Sequence, residues 1–277
     1  MIVQHNLTAL NSNRMLGLTT SSQAKSTEKL SSGYKVNRAA DDAAGLAISE
    51  KMRRQVRGLT QATANAQDGI SCVQTAEGAL NEVHDMLQRM NELAVKAANG
   101  TNQDEDRGYI QSEVDALIDE IDRVADTTTF NERILLNGTF KDIELQVGAE
   151  GKTGNQIAVT ITAMNSAGLG VASLKGTGVA GADGTAAKLA ITTIKTAIKK
   201  LNGQRSDLGA IQNRLEHTIN NLNNVVENTS AAESAIRDTN MATEMVKYAN
   251  NNILAQAGQA MLAQANQANQ GVLSLLQ

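Results

Sequence analysis

The sequence predicts a mainly α-helical chain, built as a long antiparallel coiled-coil-like rod with a small β-hairpin region and separate helices at its two ends. Three observations support this fold class. Apolar residues recur every seven positions over long stretches. Proline, which breaks helix interiors, does not occur among the 277 residues. Glycine is concentrated in the middle of the chain, where apolar and polar residues also alternate.

A seven-residue apolar repeat predicts the first long helix, over about residues 44–99, with Gly100 as the residue that ends it. A strict repeat of this length is typical of a helix that packs against partners through one continuous seam. Apolar steps of four and three residues between Ile110 and Val124 predict a second helix over about 104–127. The repeat of the first helix consists of Met52, Leu59, Ala66, Val73, Leu80, Leu87 and Ala94.

The residues after Phe130 change from helical to strand character. Two alternating runs, at 143–147 and 157–161, flank a glycine-rich segment at 148–154, a pattern that predicts a β-hairpin. We therefore expect a hairpin region over about 140–184. Apolar residues at helical spacing return at 194–226 and predict a third long helix over about 186–232, which can pack antiparallel on the first two.

Both ends of the chain carry amphipathic stripes that are poor in large apolar residues. Burying mostly alanine barely offsets the cost of ordering the backbone, roughly 1–2 kcal/mol per residue. We therefore expect the ends to order only when a partner supplies more apolar surface. The bulky members of these stripes are the predicted self-assembly residues, which are Leu7, Leu10, Leu254, Met261, Val272 and Leu275.

Composition and motifs argue against several functions. The net charge of −4 gives no basic face for a nucleic acid, and no apolar run is long enough for insertion into a membrane. The three histidines lie far apart, and the lone Cys72 is best explained as a small buried side chain. Asp41 and Asp42 are expected to cap the first long helix. We predict no catalytic, metal or cofactor site, and hence a structural or interaction protein that is not an enzyme.

Segments at both ends of the chain resemble bacterial flagellins. The N-terminal ones are LSSGYKVNRAADDAAGLAI at 30–48, NAQDGIS at 65–71 and TAEGALNE at 75–82. The C-terminal ones are LGAIQNRL at 208–215, ILAQAG at 253–258 and LAQAN at 262–266. The resemblance covers about 1–140 and 185–277. It implies a short flagellin, with an inner D0 domain from 1–43 and 235–277 and a core D1 domain from 44–234.

The resemblance implies a structural subunit that self-assembles into the flagellar filament for motility. The N-terminus lacks the charged region and following apolar stretch of a cleavable signal peptide. The family is exported through the type III apparatus of the flagellum, which explains that lack, and the implied product is an extracellular homopolymer. The implied partners are an export chaperone, the filament cap and the hook-associated proteins. The alternatives are a hook–filament junction protein or another secreted helical tip protein.

The resemblance also implies recognition of the D1 domain by the host Toll-like receptor 5. The matching positions are Gln88, Arg89, Leu93 and Glu113. The heptad repeat independently places Gln88 and Arg89 away from the seam, and it places Leu93 at the edge of the seam.

Overall fold

The computed structural model describes residues 6–180 and 184–274, with the side chains of the last helix described as far as residue 267. Long helices make up most of this part of the chain, which confirms the mainly α-helical fold class. In chain order the elements are α1 (Leu7–Ser32), α2 (Ala43–Ala97), α3 (Asp104–Thr127), β1 (Thr129–Phe130), β2 (Arg133–Ile134), β3 (Ile143–Gln146), β4 (Gln156–Val159), α4 (Ser166–Leu169), α5 (Thr185–Arg237) and α6 (Met241–Ser274).

The chain divides into two compact units. Met1–Val56 together with Glu227–Gln277 forms one, here called the terminal unit, and Arg57–Val226 forms the other, here called the central unit. Both α2 and α5 contribute residues to each unit. The D0 and D1 boundaries stay a prediction from the family resemblance.

The core of the central unit is the heptad seam predicted from the sequence. Its α2 members are buried from Leu59 onward, whereas Met52 belongs to the terminal unit and is half-buried. Alanine at two of these positions, Ala66 and Ala94, lets neighbouring helices approach closely, and larger residues from α3 and α5 fill the remaining space. The main α3 and α5 contributions are Ile110, Val114, Ile118, Ile121, Ile194, Leu201, Leu208 and Leu215.

The end of α2 differs from the prediction that Gly100 terminates the helix. The helix ends at Ala97, and Gly100 lacks the positive φ of a left-handed cap. Instead, Arg107 of α3 is buried and donates from Nε to the carbonyl oxygen of Ala97 at 3.2 Å. Asn102 donates its side-chain amide to the carbonyl oxygen of Lys96 at 2.6 Å. These side chains satisfy carbonyl groups that a helix end otherwise leaves unpaired.

The predicted hairpin is formed by β3 and β4. The strands are antiparallel and pair Ile143 with Val159 at one end and Gln146 with Gln156 at the other. The hairpin packs on α2 at Gly69, where an added Cβ atom would lie 2.4 Å from Cδ1 of Leu145. A glycine at this helix position therefore lets the strand approach closely.

A second, smaller hairpin was not predicted. In β1 and β2, Phe130 pairs with Arg133 across a two-residue turn. Both turn residues have positive φ, 48° for Asn131 and 64° for Glu132. This backbone conformation is typical of the two-residue hairpin turn that matches the strand twist. Glutamate rarely adopts it, so the sequence carried no turn signal here.

Candidate assembly surfaces

The terminal unit is held together by packing of α1 against α6, but this packing buries little apolar surface. Among the described residues, Ser26 is the one buried side chain of α1, and Ala255 is the one buried apolar side chain of α6. Val36, in the segment after α1, is the one larger apolar residue that is buried among the described residues of this unit. One copy of the chain therefore gives the helix pair almost no hydrophobic core.

Large apolar side chains of the same helices face outward. Among the predicted self-assembly residues, Leu7, Leu10, Leu254 and Met261 are exposed by 67%, 61%, 57% and 58%. The side chains of Val272 and Leu275 lie outside the described residues. Clustered exposure of this kind marks interaction surfaces in soluble proteins. The other large apolar residues of the two helices that are exposed in the described part of the chain are Met15, Leu18, Met241, Met245, Val246 and Ile253.

An open groove of about 410 Å³ runs between α1 and α6. Met15 and Leu16 line it on α1, and Leu254 and Met261 line it on α6. Gly258 lies on its α6 side, where an added Cβ atom would be 3.4 Å from Cδ1 of Leu16. Three of the exposed apolar side chains, those of Met15, Leu254 and Met261, thus line the groove and give it an apolar surface.

Polar contacts set the alignment of α1 on α6. The Ser26 hydroxyl donates to Oε1 of Glu244 at 2.7 Å, and both side chains are buried. The Asn251 amide donates to the Ser22 hydroxyl at 3.1 Å, and the Asn6 amide donates to the carbonyl oxygen of Ala265 at 3.0 Å. These bonds fix the register of the pair and leave its apolar residues available to a partner.

The two connecting segments of the terminal unit also contact each other. Thr239 donates its backbone N–H to the Gly33 carbonyl oxygen at 2.9 Å. The Arg237 guanidinium lies 4.7 Å from the centre of the Tyr34 ring, and its Nη1 is 2.7 Å from Oε1 of Glu50. Such a stacked and ion-paired arginine holds its neighbours in a defined geometry.

Both carboxylates of the acidic pair before α2 bind the backbone, but only Asp42 caps the helix as predicted, and Asp41 binds the preceding loop instead. Asp42 accepts from the Gly45 backbone N–H at 2.9 Å, which caps the start of α2. Asp41 accepts from the backbone N–H groups of Arg38 and Asn37, at 3.0 and 3.3 Å. The bond from Arg38 is the main cause that lowers the pKa of Asp41. Both carboxylates are thus engaged with the backbone.

The residues predicted to bind the receptor lie on α2 and α3 of the central unit. Arg89 donates through Nη2 and Nε to Oε1 of Glu113, at 2.7 and 2.9 Å, and both side chains are about half exposed. Gln88 is also exposed, and its side-chain nitrogen Nε2 lies 2.7 Å from the ring nitrogen Nε2 of His84. The structure therefore brings Arg89, Glu113 and Gln88 to one surface.

The sequence interpretation was wrong about the exposure of Leu93. It was expected at an exposed edge of the seam, but it is 2% exposed and belongs to the core. A two-helix seam buries only two positions of each heptad, whereas here α2 packs with residues from both α3 and α5, and the broader contact also covers Leu93. Leu93 therefore supports this surface from below.

The described residues contain neither a metal-ligand cluster nor a reactive cysteine. They contain no group of three or more His, Cys, Asp or Glu that could hold a metal ion. Cys72 is buried, and burial raises the pKa of its thiol, which disfavours the reactive thiolate. In the same part of the chain, no helix is long and apolar enough to cross a membrane.

Comparison with known proteins agrees with this architecture. The bacterial flagellin N-terminal helical region matches residues 3–141, and the C-terminal helical region matches residues 191–276. A flagellin of Halalkalibacterium halodurans is 52% identical, and the 31.3 kDa flagellar filament core protein of Treponema maltophilum is 51% identical. Both alignments cover the whole of each chain.

A solved structure of a putative flagellar hook-associated protein from Vibrio parahaemolyticus shares the fold, with a TM-score of 0.59 and 15% identity. It matches 72% of this chain and all of its own. The sequence identity to the two flagellar filament proteins is far higher and extends over the full length. It therefore separates flagellins from hook-associated proteins, which share the fold. The chain belongs to the bacterial flagellin family, the structural subunits of the flagellar filament.

Proposed function

We propose that this subunit polymerises through the exposed apolar side chains of α1 and α6, in a filament that serves motility. The observation that carries the proposal is the contrast within the terminal unit, where large apolar residues are exposed and almost none is buried. In this proposal the terminal unit corresponds to the inner D0 domain of the family, and the central unit corresponds to the core D1 domain.

The energetics of burial support this assignment. Full burial of a leucine or methionine side chain contributes about 1.5–3 kcal/mol. In a single chain, Leu7, Leu10, Leu254 and Met261 realise less than half of that burial. Neighbouring copies that cover these side chains would supply the missing hydrophobic core. Assembly and folding of the terminal helices are then one event.

Met261→Asp tests the proposal. The variant places an unpaired carboxylate on the groove between α1 and α6, where burial against a neighbour costs several kcal/mol. We expect a folded central unit and no filament, measured by circular dichroism and light scattering. Gln259→Asp is the matched control, because it adds the same charge at an exposed polar position of α6 and should still assemble. Normal assembly of Met261→Asp would exclude this surface.

The flagellar filament is extracellular, so the subunit has to leave the cell. We propose export through the flagellar type III apparatus, with a chaperone on the C-terminal segment and a cap complex at the growing end. The hook-associated proteins are the proposed neighbours at the base. The large apolar side chains that α6 exposes give a chaperone the surface it would need to shield.

Recognition by Toll-like receptor 5 is a second proposal, and it rests on the resemblance at Gln88, Arg89, Leu93 and Glu113. The accessibility of Gln88, Arg89 and Glu113 on neighbouring helices supports it. Arginine is frequent among the residues that dominate binding energy at interfaces. In this proposal Leu93 holds the surface in place rather than contacting the receptor.

A further inference from the structure

The first part of α5 carries a row of lysines in a segment that contains no acidic residue. Residues 185–205 contain five cationic side chains and no carboxylate. Lys188, Lys195 and Lys199 are spaced by seven and four residues, so they share one line along the helix, roughly 16 Å long. All three are exposed. This row is called the basic stripe below.

The basic stripe faces away from the core of the central unit. The core side of the same helical turns is formed by Ala190, Ile194, Ala197 and Leu201, which are all buried. Among the described residues, no carboxylate lies within ion-pair distance of the three lysines. The neighbouring cations do have partners, since Arg205 pairs with Glu77 and Lys200 reaches the Gly168 carbonyl oxygen.

The opposite charge is concentrated on α3. This helix carries nine carboxylates and two arginines. Four of the carboxylates, on Glu105, Asp119, Glu120 and Asp126, lie on its outer side, opposite the buried residues Val114, Ile118 and Ile121, and are here called the acidic face. Asp119 pairs with Lys175 and Glu120 pairs with Arg123. Glu105 and Asp126 form no ion pair within the described part of the chain, so the face keeps a negative excess.

We propose that the basic stripe of α5 docks on the acidic face of α3 of a neighbouring copy. The two surfaces are complementary in charge, but they do not reach each other within one chain. A contact between two different surfaces of identical subunits leaves one surface of each kind free at the ends, so it propagates into an open polymer when the repeat does not close into a ring. This inference rests on the proposed polymerisation and adds a second, electrostatic contact that sets the orientation of neighbouring central units.

A reciprocal charge reversal tests the contact. One variant carries Lys195→Glu and Lys199→Glu, and the other carries Glu120→Lys and Asp126→Lys. Each variant alone would set like charges against each other, and we expect the critical concentration for assembly to rise on the order of tenfold. An equimolar mixture of the two restores opposite charges at every contact and should assemble near the wild-type concentration. The chain that carries all four changes should do the same.

The matched control is Lys141→Glu with Lys152→Glu, which changes the net charge equally at exposed lysines off the stripe and should assemble like wild type. Sodium chloride should shrink the defect of each single-face variant, because salt screens exposed charges. Circular dichroism checks that both variants keep the helical rod.

Unchanged assembly of the stripe variant, or failure of the mixture to recover, would overturn the proposal. The proposal would also be overturned if the stripe variant assembled normally but no longer bound heparin. The stripe would then be a binding site for a polyanion. The charge-reversal experiment and the Met261→Asp experiment test two different contacts. Wild-type filaments with no effect of charge reversal refute only this inference, whereas normal assembly of Met261→Asp refutes only the proposed apolar surface.

Discussion

Ser26 on α1 and Glu244 on α6 form a buried hydrogen bond, with Ser26 Oγ donating to Glu244 Oε1 at 2.7 Å. Lys247 lies 3.5 Å from the other carboxylate oxygen. The hydrogen bond from Ser26 is the largest cause that lowers the pKa of Glu244, and Lys247 and Lys29 lower it further. Burial alone acts in the opposite direction. The helix pair therefore prefers an ionised glutamate at this contact.

The first prediction is that acid weakens the α1–α6 pair through Glu244. A carboxyl whose pKa is lower in the folded state stabilises that state above its unfolded pKa, which is about 4.3 for glutamate. The stabilisation is lost as pH falls through the folded pKa. Wild-type filaments should therefore dissociate as the pH falls. Over the same pH range, fewer Glu244→Gln filaments should dissociate. Light scattering of preformed filaments against pH measures this.

Glu216→Gln is the control for that experiment, because Glu216 is an exposed carboxylate of α5 outside the helix pair. Its acid profile should match wild type. If Glu244→Gln filaments dissociate along the wild-type curve, other groups govern the acid response.

A second prediction concerns the terminal helices before assembly. Because α1 and α6 bury so little apolar surface in one chain, their backbone hydrogen bonds should open readily in the monomer. Amide hydrogen exchange should be fast over roughly the first and last 40 residues of the monomer and slow in filaments. The α2 residues around Leu80 and Leu87, which are fully buried, provide the protected reference. Strong protection of the termini in a verified monomer would contradict this account.

The third prediction is that the turn between β3 and β4 tolerates insertion. Lys152 is exposed, and an added Cβ atom at either Gly151 or Gly154 would meet nothing within 4 Å. A short epitope after Lys152 should therefore leave assembly intact, because lengthening a surface loop costs little free energy. Antibody labelling of filaments checks the position. Labelling of the monomer alone would show that assembly covers this turn.

An insertion of the same length after Gln67 is a useful comparison. This position lies inside α2, next to the buried Ala66 and close to Gly69, which packs against Leu145. The insertion would rotate every later residue of the seam away from the core. We expect loss of the folded rod.

The long helices were predictable because each repeats one physical pattern many times. From Leu59 to Ala94 the heptad positions of α2 are buried without exception, and the absence of proline permits such length. The end of α2 was not predictable in the same way. It depends on Arg107, a buried arginine that donates to carbonyl groups near the helix end, and charged residues are seldom buried.

The sequence predicted which residues form the candidate assembly surface, but it did not predict how exposed they are. Periodicity identified Leu7, Leu10, Leu254 and Met261 as members of thin apolar stripes, but it could not say that a single chain leaves them exposed. The prediction that the chain is not an enzyme is confirmed by its membership of a structural family. The charge complementarity of α3 and α5 was visible in the sequence as composition. Only the structure shows which of these side chains form ion pairs within the described part of the chain.

The last prediction concerns receptor recognition through Arg89. Its guanidinium is bonded to Glu113 through two nitrogens and to Glu92 at 3.2 Å, and hydrogen bonds to Glu113 are the main cause that raises its pKa. Arg89 is therefore presented as a fixed cation rather than a mobile one, which lowers the entropic cost of binding a partner. Arg89→Ala should weaken binding of the Toll-like receptor 5 ectodomain by roughly 1–3 kcal/mol. Because the residue is half exposed, the rod should stay folded.

Arg123→Ala is the matched control for that measurement. Arg123 forms a comparable exposed ion pair with Glu120, and its pKa is raised mainly by the hydrogen bond to Glu120. Its loss should leave receptor affinity unchanged. Leu93→Ala has to be interpreted differently, since removing this buried side chain costs about 2–5 kcal/mol of folding stability. Wild-type affinity in folded Arg89→Ala, measured by surface plasmon resonance, would remove this arginine from the receptor site.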